Sequence, residues 1–278
     1  MSFITPKNYL NNKDMLNEIH KSKTSFCVFT DPSYHRYHLI LPNLSAINVR
    51  TIAQAKRVKA KSLSDAEFAS KKLNGEKVKL SDCEISYKKI PKTDIIFRIM
   101  TFEHIPLNST RKKNPKTVAD HHEKVNFIPF QHWKFDENDN LVCVGKSHWS
   151  GDLETGHFNA QSGQITDTLA RMMIKICERY ATKGNVRNYT YNDEMRGTAL
   201  LQLTQVGLQF DESKSDNPFS YYTSSITNAF VRVINMEKRN QQMRDDILEA
   251  NGLNPSYTRT GADEYDQGAR RHGEGDEL

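Results

Sequence analysis

The sequence predicts a mainly α-helical chain, with a three-helix core near its carboxyl end, an α+β insert ahead of that core and a flexible polar tail behind it. Three observations predict this. Apolar residues recur at three- and four-residue steps in three successive segments between 164 and 244. Short apolar runs bounded by turn residues are confined to 25–163. The last residues, GADEYDQGARRHGEGDEL, are polar, Gly-rich and without apolar period. The expected divisions are 1–24, 25–163, 164–244 and 245–278.

The first segment, NYLNNKDMLNEIHKSK, reads as a short helix. Asn11 or Asn12 supplies the cap, and Met15, Leu16 and Ile19 supply the apolar stripe. In the second segment, YHLILP and TDIIFRIMTF suit strands. FQHWKFDENDNLVCVG reads as a hairpin, with its turn between Asp136 and Asn140. Two basic tracts interrupt these strands, RTIAQAKRVKAK at 50–61 and STRKKNPK at 109–116. The third segment opens with a helix from Gln164 to about Lys183. Ile165, Leu169, Met172, Met173, Ile176, Cys177 and Tyr180 lie on its apolar face, and Gly184 follows its end. EMRGTALLQLTQVGLQF repeats the pattern at Met195, Ala199, Leu203, Val206 and Phe210. The last helix starts near Pro218, with Phe219, Tyr222, Ile226, Phe230 and Val233 as its apolar positions.

At 278 residues the chain can hold one large or two small cores. It contains no apolar run of the ~18 residues that a membrane span needs. Its first residues lack the apolar core of a signal peptide. Cys27, Cys83, Cys143 and Cys177 are scattered and form no CxxC pair, which predicts reduced thiols in a cytoplasmic compartment. A net charge of +5 permits a nucleic-acid partner without requiring one.

The last helix keeps an uncharged polar middle and a basic far end. With its apolar stripe buried, Ser224, Ser225, Asn228, Arg232, Asn235 and Arg239 lie near the opposite side. Amides and guanidinium groups can hydrogen-bond base edges in pairs. Lys238, Arg239 and Arg244 can neutralise phosphates, and Tyr221 and Tyr222 can offer flat faces to an unpaired base.

Residues 194–239, EMRGTALLQLTQVGLQFDESKSDNPFSYYTSSITNAFVRVINMEKR, resemble region 2 of the bacterial sigma-70 class. They are most similar to the late-transcription sigma factors of T-even-like phages and their cyanophage relatives. The marks are the E-M opening, the G-L-x-F-D-E step at 207–212, the N-P before the aromatic cluster and N-A-F-V at 228–231. NYLNNKDMLNEI is similar to the start of that family. The resemblance implies a non-enzymatic specificity factor without cofactor, acting in the host bacterial cytoplasm. It would bind the clamp coiled coil on the largest subunit of host core RNA polymerase, and read and melt a −10-like A/T-rich promoter element through its non-template strand. A separate phage co-activator and the replication sliding clamp are the further partners implied.

Carried over by position, the polymerase contact falls on Glu194, Arg196, Thr198, Leu200, Leu201, Thr204 and Gln205. The promoter contact falls on Tyr221, Tyr222, Ser224, Ser225, Asn228, Arg232, Asn235, Lys238 and Arg239. The chain departs from the pattern in three places. Gly197–Thr198 stands where housekeeping factors carry Gln-Glu, and Ser225–Ile226 stands where they carry tandem Trp. The tail also lacks the apolar anchors of a clamp-binding peptide, so sliding-clamp dependence is not expected.

The 25–163 stretch matches nothing in compact members of that family. Its basic tracts either touch upstream DNA or the polymerase, or form part of a solvated scaffold. His121, His122, His132, His148 and His157 raise the alternative of a metal-dependent DNA nuclease. Their loose spacing, and the lack of a Cys pair, favour histidines satisfied on strands and loops. A polymerase-independent DNA-binding regulator is the other alternative.

Overall fold

The computed structural model describes residues 11–75, 78–110, 114 and 116–259. Residues 8–10 of the first predicted helix, residues 111–113 and 115 of the 109–116 basic tract and the tail from 260 lie outside the described residues. The chain is mainly helical and carries a mixed five-stranded sheet. The elements in order are α1 (Asn12–Thr24), β1 (Cys27–Phe29), β2 (Leu39–Leu41), α2 (Val49–Leu73), β3 (Ile96–Met100), β4 (Phe130–Phe135), β5 (Leu141–Ser147), β6 (Trp149–Ser150), β7 (His157–Phe158), α3 (Asp167–Ala181), α4 (Asn192–Val206) and α5 (Pro218–Ala250). Two compact units result. The first is Met1–Lys175 with Thr204–Tyr222, and the second is Ile176–Leu203 with Thr223–Leu278. These boundaries fall inside α3, α4 and α5.

In the first unit, the Asn11 side chain caps α1 by accepting from the Lys13 backbone N–H at 3.1 Å. Met15 and Ile19 are buried. The sheet order is β1-β5-β4-β3-β2, and β6 and β7 form a separate small ladder. β2 and β3 are parallel, which requires a crossover, and α2 supplies it. The other pairs in the large sheet are antiparallel. The β4–β5 turn forms because the Asp136 carboxylate accepts from the Asn138 and Asn140 backbone N–H groups at 2.9 and 2.7 Å.

β3 explains why the sheet stays put. Its residues Ile96, Phe97, Arg98 and Ile99 are all buried, so both faces of the strand are covered. Phe97 and Ile99 join Leu41, Ala55, Ile95 and Phe135 in the core that α2 covers. Arg98 alternates to the other face, directly opposite His132 of β4 in register.

In the second unit, Ile176, Cys177, Ala181, Met195, Ala199, Leu203, Ile226, Ala229, Phe230 and Val233 are buried. They come from α3, α4 and α5. The Tyr180 and Phe230 rings meet edge to face at 5.1 Å. The Asn192 amide donates to Ala181 O and Val186 O at 3.1 and 3.0 Å, tying the α3–α4 link to the start of α4.

Four expectations change. α3 ends at Ala181, ahead of Gly184. The Thr182 hydroxyl donates to Arg179 O at 2.9 Å, and a turn from Lys183 N–H to Tyr180 O at 3.1 Å closes the helix without a left-handed glycine. α5 continues to Ala250, past the expected end at Arg244. Residues 251–259 fold back on α5 and are not a free tail: the Asp245 carboxylate accepts from the Ser256 N–H at 2.9 Å and its hydroxyl at 2.8 Å, and Arg259 pairs with Glu249 at 3.0 Å. Phe219, expected in the apolar stripe, is 42% exposed because it sits in the first turn of α5.

The face of the sheet covered by α2 holds an apolar core in which Phe97 is fully buried. Phe97→Ala is expected to lower unfolding stability by about 3–5 kcal/mol, as read from urea denaturation.

Candidate functional site

On α5, Ser224, Asn228, Arg232, Asn235, Lys238 and Arg239 are exposed. Ser224, Asn228, Arg232, Asn235 and Arg239 recur at four-, four-, three- and four-residue steps, so they form one stripe along the helix. At 1.5 Å per residue it extends about 22 Å. Ser225 is half-buried. On α4, Glu194, Leu201, Thr204 and Gln205 are exposed, while Thr198 and Leu200 are half-buried. Leu201 is 67% exposed, an apolar side chain presented to solvent on an otherwise polar face. Arg196 is held in place by Asp193 at 3.0 Å and Glu178 at 3.8 Å.

The two tyrosines behave differently from expectation. Tyr222 has no exposed surface, and its hydroxyl donates to Gly207 O at 2.8 Å. Burial pushes its phenol above the ordinary value. The flat face expected to receive an unpaired base is therefore part of the core. Tyr221 is half-buried, and its hydroxyl donates to Val206 O at 3.0 Å. Gly207 itself sits against Met173, so a Cβ there would overlap the thioether.

Sequence reasoning missed the buried charge cluster in the first unit. Arg98 is 1% exposed. Its Nη1 donates to Glu212 Oε2 at 2.7 Å, and its Nε donates to His132 Nε2 at 3.0 Å. Its Nη2 lies 3.2 Å from His20 Nδ1. The guanidinium is sandwiched between the Tyr37 and Phe130 rings, 3.9 and 3.8 Å from their centroids. Lys23 completes the cluster, donating to Phe210 O at 2.7 Å and lying 3.4 Å from Glu212 Oε1. His132 accepts at Nε2, so Nδ1 carries the proton and donates to Tyr34 O at 2.7 Å.

The signal that could have found it is the lone Arg in the apolar run IIFRIM, since a charge in a strand covered on both faces must find a partner. Its carboxylate partner belongs to the F-D-E step at 210–212. His20, Tyr37 and Glu212 also line a cleft of about 1710 Å³, together with Arg171, Lys175 and Asp216.

Burial alone would raise the Glu212 carboxyl, but Lys23 and Arg98 outweigh it and hold the group below its ordinary value. His20 is lowered to about 4, first by burial and then by Arg98. His132 falls well below its ordinary value for the same two reasons. Burial also lowers His104 to about 4 and His148 to about 3.

These histidines are scattered among aromatic neighbours and backbone partners. His148 lies 4.2 Å from Phe127, and His104 Nε2 lies 2.9 Å from Ser147 O. Among the described residues, no group of three or more His, Cys, Asp or Glu side chains is arranged to hold a metal ion. Among those residues too, no helix is long and apolar enough to cross a membrane. No protein family, curated protein or solved structure matches the chain.

Acid should dissolve the cluster in a defined order. The histidines have lowered folded values, so the unfolded chain binds more protons as pH falls from about 6.5 towards about 4, and stability drops across that window. Glu212 is also lowered, so its contribution is present above its unfolded value near 4.5 and is lost below it. Urea midpoints measured from pH 7.5 to pH 4 should fall throughout. Glu212→Gln, which strands Arg98 and Lys23, should cost about 3–5 kcal/mol at neutral pH.

Proposed function

We propose that the chain is a phage-type sigma factor for late transcription. It binds host core RNA polymerase through α4 and recognises a −10-like A/T-rich promoter element through α5. The observation that carries this reading is the exposed stripe of Ser224, Asn228, Arg232, Asn235 and Arg239 on the helix whose sequence resembles the promoter-reading helix of region 2. Its hydroxyl and amide groups match base edges, and the Lys238–Arg239 end matches the phosphate backbone.

Exposed Leu201 among Glu194, Thr204 and Gln205 supports a protein contact on α4, where an apolar side chain gains most from being covered. The buried Tyr222 removes one aromatic wedge from this scheme, so strand separation rests on the polar stripe and on the polymerase. The polymerase carries out the chemistry, in the host bacterial cytoplasm, with a phage co-activator as the further partner.

The deciding experiment is co-purification with host core polymerase, followed by a run-off assay on a template with an A/T-rich −10 element. Failure to bind core at low salt ends the reading. Tight duplex binding without any polymerase contact would favour a free-standing DNA-binding regulator. Arg232→Ala should weaken open-complex formation by about tenfold or more, as expected for removal of a base contact, while leaving core affinity intact. Arg196→Glu together with Leu201→Asp should weaken core binding, while the lost pairing with Asp193 and Glu178 lowers the unfolding midpoint only slightly.

A further inference from the structure

The N-terminal half of α2 carries Arg50, Lys56, Arg57, Lys59 and Lys61 and no acid before Asp65. An ordinary helix places acids in its first turn, where they complement the positive end of the helix dipole, and α2 has none there. Lys59 is accounted for by Asp94, which it meets at 2.9 Å. Among the described residues, Arg50, Arg57 and Lys61 pair with no carboxylate. All three are exposed, as is Gln54 between them.

The spacing of four, three and four residues sets Arg50, Gln54, Arg57 and Lys61 in one line along the helix. The line extends about 16 Å. The 3₁₀ turn Tyr87–Lys89 packs against the same helix, and the Arg57 guanidinium lies 5.1 Å from the Tyr87 ring centroid. That turn adds Lys88 and Lys89, both exposed.

We propose that this line is a second nucleic-acid contact, a sequence-independent seat for the sugar-phosphate backbone of duplex DNA. A helix length of about 16 Å faces about five phosphates of one strand at about 3.4 Å of axis each. Arginine and lysine with an interposed Gln can bond phosphate oxygens, and nothing in the line distinguishes one base from another. A lipid surface is the weaker match. The exposed apolar residues of α2, Val49, Val58, Leu63 and Leu73, fall at scattered angles and form no stripe that could enter a bilayer. This seat is distinct from the α5 stripe and does not depend on the polymerase reading.

The test uses the full chain and a fluorescein-labelled duplex of mixed sequence, titrated by anisotropy at several salt concentrations between about 50 and 200 mM. The triple variant Arg50→Gln, Arg57→Gln, Lys61→Gln is expected to bind at least tenfold more weakly at the low-salt end. Its plot of log affinity against log salt should be shallower by about 2.7, since each phosphate no longer neutralised removes about 0.9. Each single variant should flatten the slope by about 0.9, which keeps the test valid if the triple variant fails to fold. Lys13→Gln, at an exposed cation of α1 outside both stripes, should leave the duplex slope unchanged. An unchanged slope in the α2 variants overturns the proposal. So does an equal flattening of the slope in the Lys13 variant, or preference of the chain for anionic vesicles over duplex.

Discussion

The first unit depends on a single guanidinium having somewhere to go. Arg98 stands in a strand that is covered on both sides, and its side chain emerges on the face away from α2. A bare charge in that position would prevent the sheet from being covered at all. The chain answers with a carboxylate from the loop after α4, two imidazoles and two ring faces, so that the hydrogen-bonding and electrostatic demands of the cation are met from several directions. Buried ion pairs of this kind add little net stability over an apolar replacement, because desolvation offsets the attraction. What they add here is selection: among ways of packing α1 and the Glu212 loop on the sheet, only those that bring Glu212 to Arg98 avoid a stranded charge. The cluster therefore sets register between distant parts of the chain more than it sets overall stability.

The consequence for organisation is that the β-containing stretch shares a buried cluster with α1 and the 207–212 step. Residues from α1, from the sheet and from the 207–212 step meet at one point, and the first compact unit includes all three. A stretch read from sequence as inserted between other parts is joined to them by Lys23, Arg98 and Glu212.

Some of this is plain in the sequence. The strands β2 and β3 and the β4–β5 hairpin fall where apolar alternation and turn chemistry put them, because period and turn residues act over a few positions. The Asn11 cap and the buried Met15 and Ile19 follow from the same local rules. Helix ends are less legible. α5 outruns Arg244 because residues 251–259 fold back to give Asp245 and Glu249 partners, and no local pattern announces a partner ten residues away. Tyr222 misleads for a related reason. Its periodic position fits both a core residue and a base-stacking residue, and only its hydrogen bond to Gly207 O decides between them. The charge cluster is hidden because its members are widely separated along the chain. The stripe on α5 is legible because helical spacing alone, given a buried apolar face, leaves Ser224, Asn228, Arg232 and Asn235 outside.

Vectorial synthesis gives the Arg98–Glu212 pair a temporal meaning. The two residues lie 114 positions apart. At about 5–20 residues per second on a ribosome, the strand bearing Arg98 is synthesised roughly 6–23 seconds before its carboxylate. During that interval the nascent sheet cannot close its second face, and its apolar strands stay available to chaperones or to other nascent chains. The sheet of the first unit thus waits, unfinished, for a loop translated more than a hundred residues after Arg98.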